Sequence, residues 1–207
     1  VPTKREKTYQ RILDAASQSF KCEGFSGVGV NTIAQAADVT TGAFYAHFGS
    51  KDGAFEAVIK AGLQSSLHRI IGFQRDEGKK WPKAFADFYL SRQHRVDVAD
   101  GCAIAALSPD IARAAPEHQI AFDAGMVQIV DAVSAGLAEG TFEDRRDRSW
   151  SFLSTLTGGL ILARAARTPK LADNISKTCR ANALAAVGKG VKIKKPAKAL
   201  TEIEEEG

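Results

Sequence analysis

The stretch Val39 to Phe55, VTTGAFYAHFGSKDGAF, holds two interleaved sets of residues. Thr40, Thr41, Tyr45, His47 and Lys51 carry hydroxyl, imidazole and ammonium groups that donate to anionic oxygens, while Gly42 and Ala43 add almost no bulk. Phe44 and Phe48 stand at the i, i+4 spacing of one helix face. A short helix with an apolar seam and a hydroxyl-rich, aromatic, basic outer face suits an anionic, polar partner. Against a nucleic acid, Thr41 offers a donor and an acceptor to a base edge, and Ala43 offers a methyl to thymine. Gly42 lets the backbone come close. Tyr45, His47 and Lys51 suit phosphate oxygens, contacts that fix position without reading sequence. Thr40 is placed to cap the helix, leaving its first amides favourable toward phosphate. No arginine stands on this helix, so bidentate guanine recognition from it is not expected.

That face needs elements to hold it. Ile12, Ala15, Ala16 and Phe20 recur at helical spacing and predict a first helix that Gly24 ends. A short helix is expected over 30–37, then a tight turn at Asp38-Val39-Thr40 and a second short helix to Phe48. Asp38 tolerates the left-handed conformation such a turn needs. Gly49-Ser50 breaks the chain, and Ser50 caps a helix running to about Phe73. Two short helices joined by a tight turn after a longer one make a helix-turn-helix, with the second short helix offered to a major groove. Ile33, Ala34, Ala37 and Val39 are expected to pack against Phe44, Phe48, Ile12 and Phe20.

Downstream, Arg75 to Lys80 (RDEGKK) reads as a loop. A helix carrying Phe85, Phe88 and Tyr89 is expected to end near Val98. Residues 102–114 read as one or two helical pieces interrupted at Ser108-Pro109, and Pro116 opens a long helix to about Leu137. EGTFED reads as a turn, and two more helices are expected over 146–167 and 171–187. No segment alternates with period two, so the fold class is all-α with about nine helices. Three parts follow: a helix-turn-helix domain over 1–50, a larger helical domain over 51–187, and a disordered tail over 188–207 with five lysines before EIEEE.

The chain has 207 residues, 44% hydrophobic and 25% charged, which is the balance of a globular protein. Net charge is +4, and the sequence pI of about 9.0 permits a nucleic-acid partner without demanding one. No apolar run approaches the ~20 residues of a membrane span, and no charged start leads into an apolar block, so neither a membrane partner nor a secretory signal is expected. Cys22, Cys102 and Cys179 are odd in number and scattered, which argues against a disulfide framework and fits a reducing, cytoplasmic location. His47, His68, His94 and His118 share no metal-ligand spacing, so no metal site, cofactor or catalytic constellation is expected.

Residues 8–55 resemble the DNA-binding region of the TetR/AcrR family of transcriptional regulators, through NTIAQAADVTTGAFYAHFGSKDGAF and its core GAFYAHFGSKD. GCAIAALSPDIAR also resembles a stretch found in some branches of that family. The resemblance implies DNA contacts from Thr40, Thr41, Gly42, Ala43, Tyr45, His47 and Lys51. Val28 and Gly29 stand where hydroxyl residues often precede the first short helix, with Asn31 or Thr32 as replacements, and Asp38 stands where glycine is usual.

The resemblance also implies a homodimer whose last two helices form a four-helix interface. Leu153, Thr157, Gly158, Ile161 and Ala165 are the candidates on one helix and Ile175 on the next. Such a dimer sets two reading helices about 34–36 Å apart on a palindromic operator in double-stranded DNA. The central helices would hold a small-molecule effector. Phe85, Phe88, Tyr89, Phe122, Met126 and Trp150 supply apolar surface, with Arg92, His94 and Cys102 as polar handles. The expected function is a ligand-responsive, DNA-binding transcriptional regulator, a repressor that its effector releases from the operator. Two rivals stand beside it. One is a helical ligand-binding or scaffold protein with a lapsed DNA module, supported by Val28, Gly29 and Asp38. The other is an enzyme using Cys102 with His94 or His118, for which the sequence offers no base-orienting partner.

Overall fold

The computed structural model describes residues 2–188. The expectation for the tail therefore lies outside the described residues except at Gly188. Among the described residues ten α-helices follow one another: α1 (Lys4–Glu23), α2 (Val30–Ala36), α3 (Thr41–Phe48), α4 (Lys51–Glu77), α5 (Trp81–Tyr89), α6 (Arg92–Val96), α7 (Ala103–Ile111), α8 (Pro116–Ala135), α9 (Phe142–Ala165) and α10 (Pro169–Val187). A one-turn 3-10 helix, Gly78–Lys80, joins α4 to α5. No described residue lies in a strand, and none of the described helices is long and apolar enough to cross a membrane.

Local chemistry sets most of the boundaries. Thr3 opens α1 through a reciprocal cap: the Glu6 amide donates to its hydroxyl at 3.2 Å and its own amide donates to the Glu6 carboxylate at 2.7 Å. Gly24 ends the helix at φ 76°. Thr40 caps α3 by accepting from the Ala43 amide at 3.1 Å, and Ser50 caps α4 by accepting from Gly53 at 2.9 Å. Asp38 holds φ 52° in the turn between α2 and α3, the conformation expected of it.

One core runs through the molecule. Ile12 and Phe20 of α1, Ile33 and Ala34 of α2, Phe44 of α3 and Phe55 and Val58 of α4 close the three-helix unit. The same buried cluster continues along α4 into Phe85, Leu107, Ile129, Phe152 and Leu160. α4 therefore belongs to both parts, packing on α1 and α3 and also on α5, α7 and α8, the last of these from Asp52 to Gln74. α9 and α10 form the most extensive helix pair.

Three expectations are corrected. The polar run Arg75 to Lys80 is not a loop: α4 continues to Glu77, and Gly78 turns the chain at φ 50°. This end of α4 is largely exposed, where a helix keeps a polar surface. The helix carrying Phe85 stops at Tyr89, and Ser91 caps a separate α6 by accepting from the His94 amide at 3.1 Å. Pro109 does not split the next segment but sits inside α7 near its end. There the missing N–H forfeits a single bond of the last turn, and the Ser108 hydroxyl donates to the Ile104 carbonyl at 2.5 Å.

Candidate nucleic-acid interface and effector cavity

The reading surface is built on Phe44. Its ring is fully buried in the core cluster that also holds Ile12, Ile33 and Phe20, which fixes the rotation of α3 and turns the opposite face outward. Asn31, Thr32, Thr40, Gly42 and Tyr45 are exposed, while Thr41, Ala43, His47 and Lys51 are half-buried along the same surface. Tyr45 is 51% exposed, a large aromatic side chain held out of the core beside buried Phe44. A Cβ added at Gly42 would meet only the Thr40 hydroxyl, at 3.8 Å. Packing within the protein therefore does not require glycine there, which fits a backbone kept clear for a partner.

Four features of this surface are not evident in the sequence. Gln35 is exposed on α2, one turn after Asn31, and lines a shallow groove with Asn31, Thr40 and Thr41. Its i+4 spacing from Asn31 was the signal that could have revealed it. Tyr9 of α1 stacks on Phe48 at 4.8 Å and flanks His47 at 6.1 Å. Arg11 stands 3.6 Å from Asp38, so the negative charge in the turn has a countercharge beside it. Lys51 lies over the Phe25 ring, with Nζ 4.5 Å from the centroid. Val28 is buried in the core, and Gly29 precedes α2 without any side-chain cap.

The second site is a cavity of about 520 Å³, within the usual range for a small-molecule pocket. Its inner wall is apolar and buried: Ile70, Phe85, Tyr89, Met126, Ile129 and Leu156 among others. Of the candidate effector residues, Phe85, Phe88, Tyr89, His94, Cys102 and Met126 line this cavity. Arg92, Phe122 and Trp150 do not. Arg92 is exposed on α6, Phe122 packs against the core elsewhere, and Trp150 is 42% exposed on the outer side of α9. Leu153 and Thr157, expected at a subunit interface, instead line this cavity.

The sequence reading missed the α1 wall. Leu13, Ser17 and Lys21 line the cavity from the reading module, opposite Gly62, Ser66 and Arg69 of α4. Lys21 reaches across to the Gly101 carbonyl at 3.4 Å, and Gln18 reaches Asp100 at 3.4 Å. Burial pushes the Lys21 ammonium below its usual pKa, partly offset by Asp100. Close helix approach makes this wall tight: a Cβ on Gly62 would meet the Ala103 Cβ at 2.4 Å. On the inner wall the Tyr89 hydroxyl lies 3.3 Å from the Thr157 hydroxyl, and burial followed by the nearby Cys102 raises its pKa well above the usual phenol value. Cys102 precedes α7 without capping it through its side chain. Among the described residues no cluster of His, Cys, Asp and Glu could hold a metal.

A third surface is the outer face of α9 and α10. Trp150, Ile161, Leu162 and Leu171 are exposed there, with Ala165 exposed and Gly158 and Ile175 half-buried. A Cβ at Gly158 would meet nothing within 4 Å, whereas one at Gly159 would meet Cys179 of α10 at 2.6 Å. The two adjacent glycines thus face different ways, the second toward the subunit's own helix.

Comparison with known proteins follows this division. The model of the bacterial regulatory proteins, tetR family, matches residues 12–58. Over 54 residues the chain is 44% identical to the HTH-type transcriptional regulator SrpR of Pseudomonas putida, a match covering 26% of this chain and 25% of that regulator. The chain thus spans about a quarter of the length of the curated relative it matches. Solved structures share the course of the remaining helices. A TetR-family regulator from Agrobacterium tumefaciens superposes with a TM-score of 0.71 at 16% identity, covering 86% of this chain and 97% of that one. FadR from Bacillus subtilis, solved in complex with stearoyl-CoA, gives 0.68 at 15%, covering 86% and 98%. At such identities the likeness is one of fold. The stretch from α1 into α4 is thus a DNA-binding region of the tetR family of bacterial regulatory proteins, and the remaining helices share their fold with solved regulators of that family.

Proposed function

We propose that this protein is a dimeric, cytoplasmic transcriptional repressor that binds a palindromic operator and leaves it when a small molecule fills the cavity. The observation that carries the reading is the division of α3. Phe44 is fully buried while Tyr45, Gly42 and the threonines of the same short helix face outward, next to no packing that would require them. Asn31, Thr32, Gln35, Thr40, Thr41, Gly42, Ala43, Tyr45, His47 and Lys51 form the DNA-facing set. The first turn of α3 reads base edges, and the aromatic and basic residues take phosphates.

Two copies joined through the outer face of α9 and α10 supply two reading helices. Gly158, Ile161, Leu162, Ala165, Leu171 and Ile175 make up that face. Exposed apolar side chains on neighbouring helices favour burial against a second copy over contact with water. The effector acts on α1 and α4, two of the helices that wall the cavity, each of which also supports α3 through the core. A ligand that fits one pose of these helices changes the spacing of the reading helices. Linkage then requires tighter effector binding to the DNA-free form, by ~1–3 kcal/mol for a ~5–150-fold effect. FadR, of the same fold, was solved in complex with stearoyl-CoA, which supports a ligand-responsive reading of this fold.

The scaffold alternative rested on Val28, Gly29 and Asp38. Val28 has a core role, and Asp38 has a turn role and a countercharge, so neither requires the module to have lapsed. The test is selection of duplexes from a random DNA pool at near-physiological salt, with Tyr45→Ala in parallel. A palindrome recovered by the native protein and lost or weakened in the variant is the expected result. Enrichment of no sequence, with only salt-sensitive adhesion, would return the scaffold reading.

A further inference from the structure

One polar atom on the cavity wall has its chemical role fixed by its surroundings. His94 is 7% exposed, and its Nδ1 lies 2.7 Å from the Tyr89 carbonyl oxygen. A carbonyl oxygen only accepts, so Nδ1 carries the proton. Burial holds the imidazole pKa below its usual value, and the Arg164 and Arg69 guanidinium groups add to this against the Tyr89 carbonyl and Asp97. The ring is neutral near pH 7, and Nε2 keeps a lone pair. Among the described residues nothing donates to that nitrogen. A side chain more than nine-tenths buried thus presents an unpartnered acceptor in a cavity of mostly apolar wall.

The acceptor is held firmly. Arg164 donates to the carbonyls of His94, Arg95 and Asp97 at 2.9, 3.1 and 3.0 Å, fixing the end of α6 from behind. Phe88 stacks on the imidazole at 5.1 Å and Tyr89 meets it edge-on at 5.0 Å. The charges nearby select among ligands. Arg164 and Arg69 act on the imidazole and disfavour a cation beside it, while Asp14 and Asp100 on the cavity wall offset Lys21. A carboxylate is deprotonated at pH 7 and would set its own lone pairs against that of Nε2. A neutral O–H donor satisfies the nitrogen without either penalty. Phe85 and Phe88, one turn apart on α5, line the cavity together and favour a flat ring, which meets aromatic faces and edges in offset or perpendicular arrangements.

We propose that the cavity takes a neutral aromatic alcohol of the phenol class, its hydroxyl donating to Nε2 of His94 and its ring lying against Phe85 and Phe88. This rests on the reading of the cavity as the effector site. The test uses the full chain and four probes: 2-naphthol, its methyl ether, the saturated decahydro-2-naphthol, and Nile red, an apolar dye without a hydrogen-bond donor. Nile red fluorescence reports whether the cavity accepts apolar ligands at all, and displacement of the dye reports binding of the other three. The expected result is displacement by 2-naphthol at a concentration at least tenfold lower than by the ether or the saturated alcohol. The gap between 2-naphthol and its ether should close in His94→Phe, with melting curves showing that the variant is folded. Equal potency of 2-naphthol and its ether on the native protein overturns the assigned hydrogen bond, whatever the variant does. So does a gap that persists undiminished in folded His94→Phe. Equal potency of the saturated alcohol overturns the aromatic assignment. If neither Nile red nor 2-naphthol binds, the effector-site reading itself fails, and the proposal with it.

Discussion

Nε2 of His118 stands 3.4 Å from Oδ1 of Asp52, joining the first turn of α8 to the first turn of α4. His118 is almost fully buried, meets Phe55 edge-on at 5.3 Å, and has no partner for Nδ1 among the described residues. The carboxylate accepts, so Nε2 is the donor. This contact ties the helical domain to α4 one residue after Lys51. A double-mutant cycle with Asp52→Ala and His118→Leu should give a coupling energy of about 0.5–1 kcal/mol, reduced by the exposure of Asp52. Strictly additive losses in urea unfolding would show that the two groups are merely adjacent.

Phe44 and Tyr45 are neighbours in sequence with opposite tasks. Phe44→Ala should cost about 3–5 kcal/mol of stability through the cavity it leaves in the three-helix unit. Tyr45→Ala should stay within about 0.5 kcal/mol of the native protein, because its side chain is half in water. Its operator affinity should nevertheless fall about tenfold or more, the loss of one ~1.5 kcal/mol hydrogen bond to a charged phosphate. Chemical denaturation and fluorescence anisotropy on a labelled operator measure the two quantities separately. A Tyr45 variant that melts early but binds normally would contradict the assignment.

The paired glycines of α9 separate assembly from folding. Gly158→Leu places its side chain where no atom of the same subunit stands, so its melting should change little at low concentration while sedimentation shifts toward monomer. Gly159→Leu forces a Cβ into Cys179 and should destabilise the α9–α10 pair by about 1–3 kcal/mol or more. Unchanged sedimentation of Gly158→Leu would mean that the subunits meet elsewhere.

His94 gives stability a pH dependence of defined sign. Its folded-state pKa is lowered, chiefly by burial, from the usual 6.5. Between the folded and unfolded values the unfolded chain binds the extra proton, so stability rises with pH across that window. Its contribution is complete above about 6.5, and it is lost as pH falls from there toward the folded value. Denaturant unfolding at pH 7.5 and 5.5 should show a larger drop for the native protein than for His94→Phe. Equal drops would mean that other groups carry the acid sensitivity.

Much of the reading module was legible because its signals are local. Thr40, Ser50, Gly24 and Asp38 act on backbone groups within a few residues, and the Phe44–Phe48 spacing fixes which side of α3 turns inward. The polar run at Arg75 misled because an exposed helix end and a loop share the same composition.

The chain by itself thus determined an all-helical course, the caps that cut it into elements, and the outward face of α3. Each follows from propensity and period over a few turns. Only the tertiary structure decided the cavity and the outer faces. α9 is apolar on more than one side, so periodicity could not tell that Leu153 and Thr157 turn inward while Trp150 and Ile161 turn out. Nor could it bring Lys21 to Gly101 or α1 to the cavity wall. Those contacts join residues far apart in sequence, and packing of whole helices, rather than any local preference, selects them.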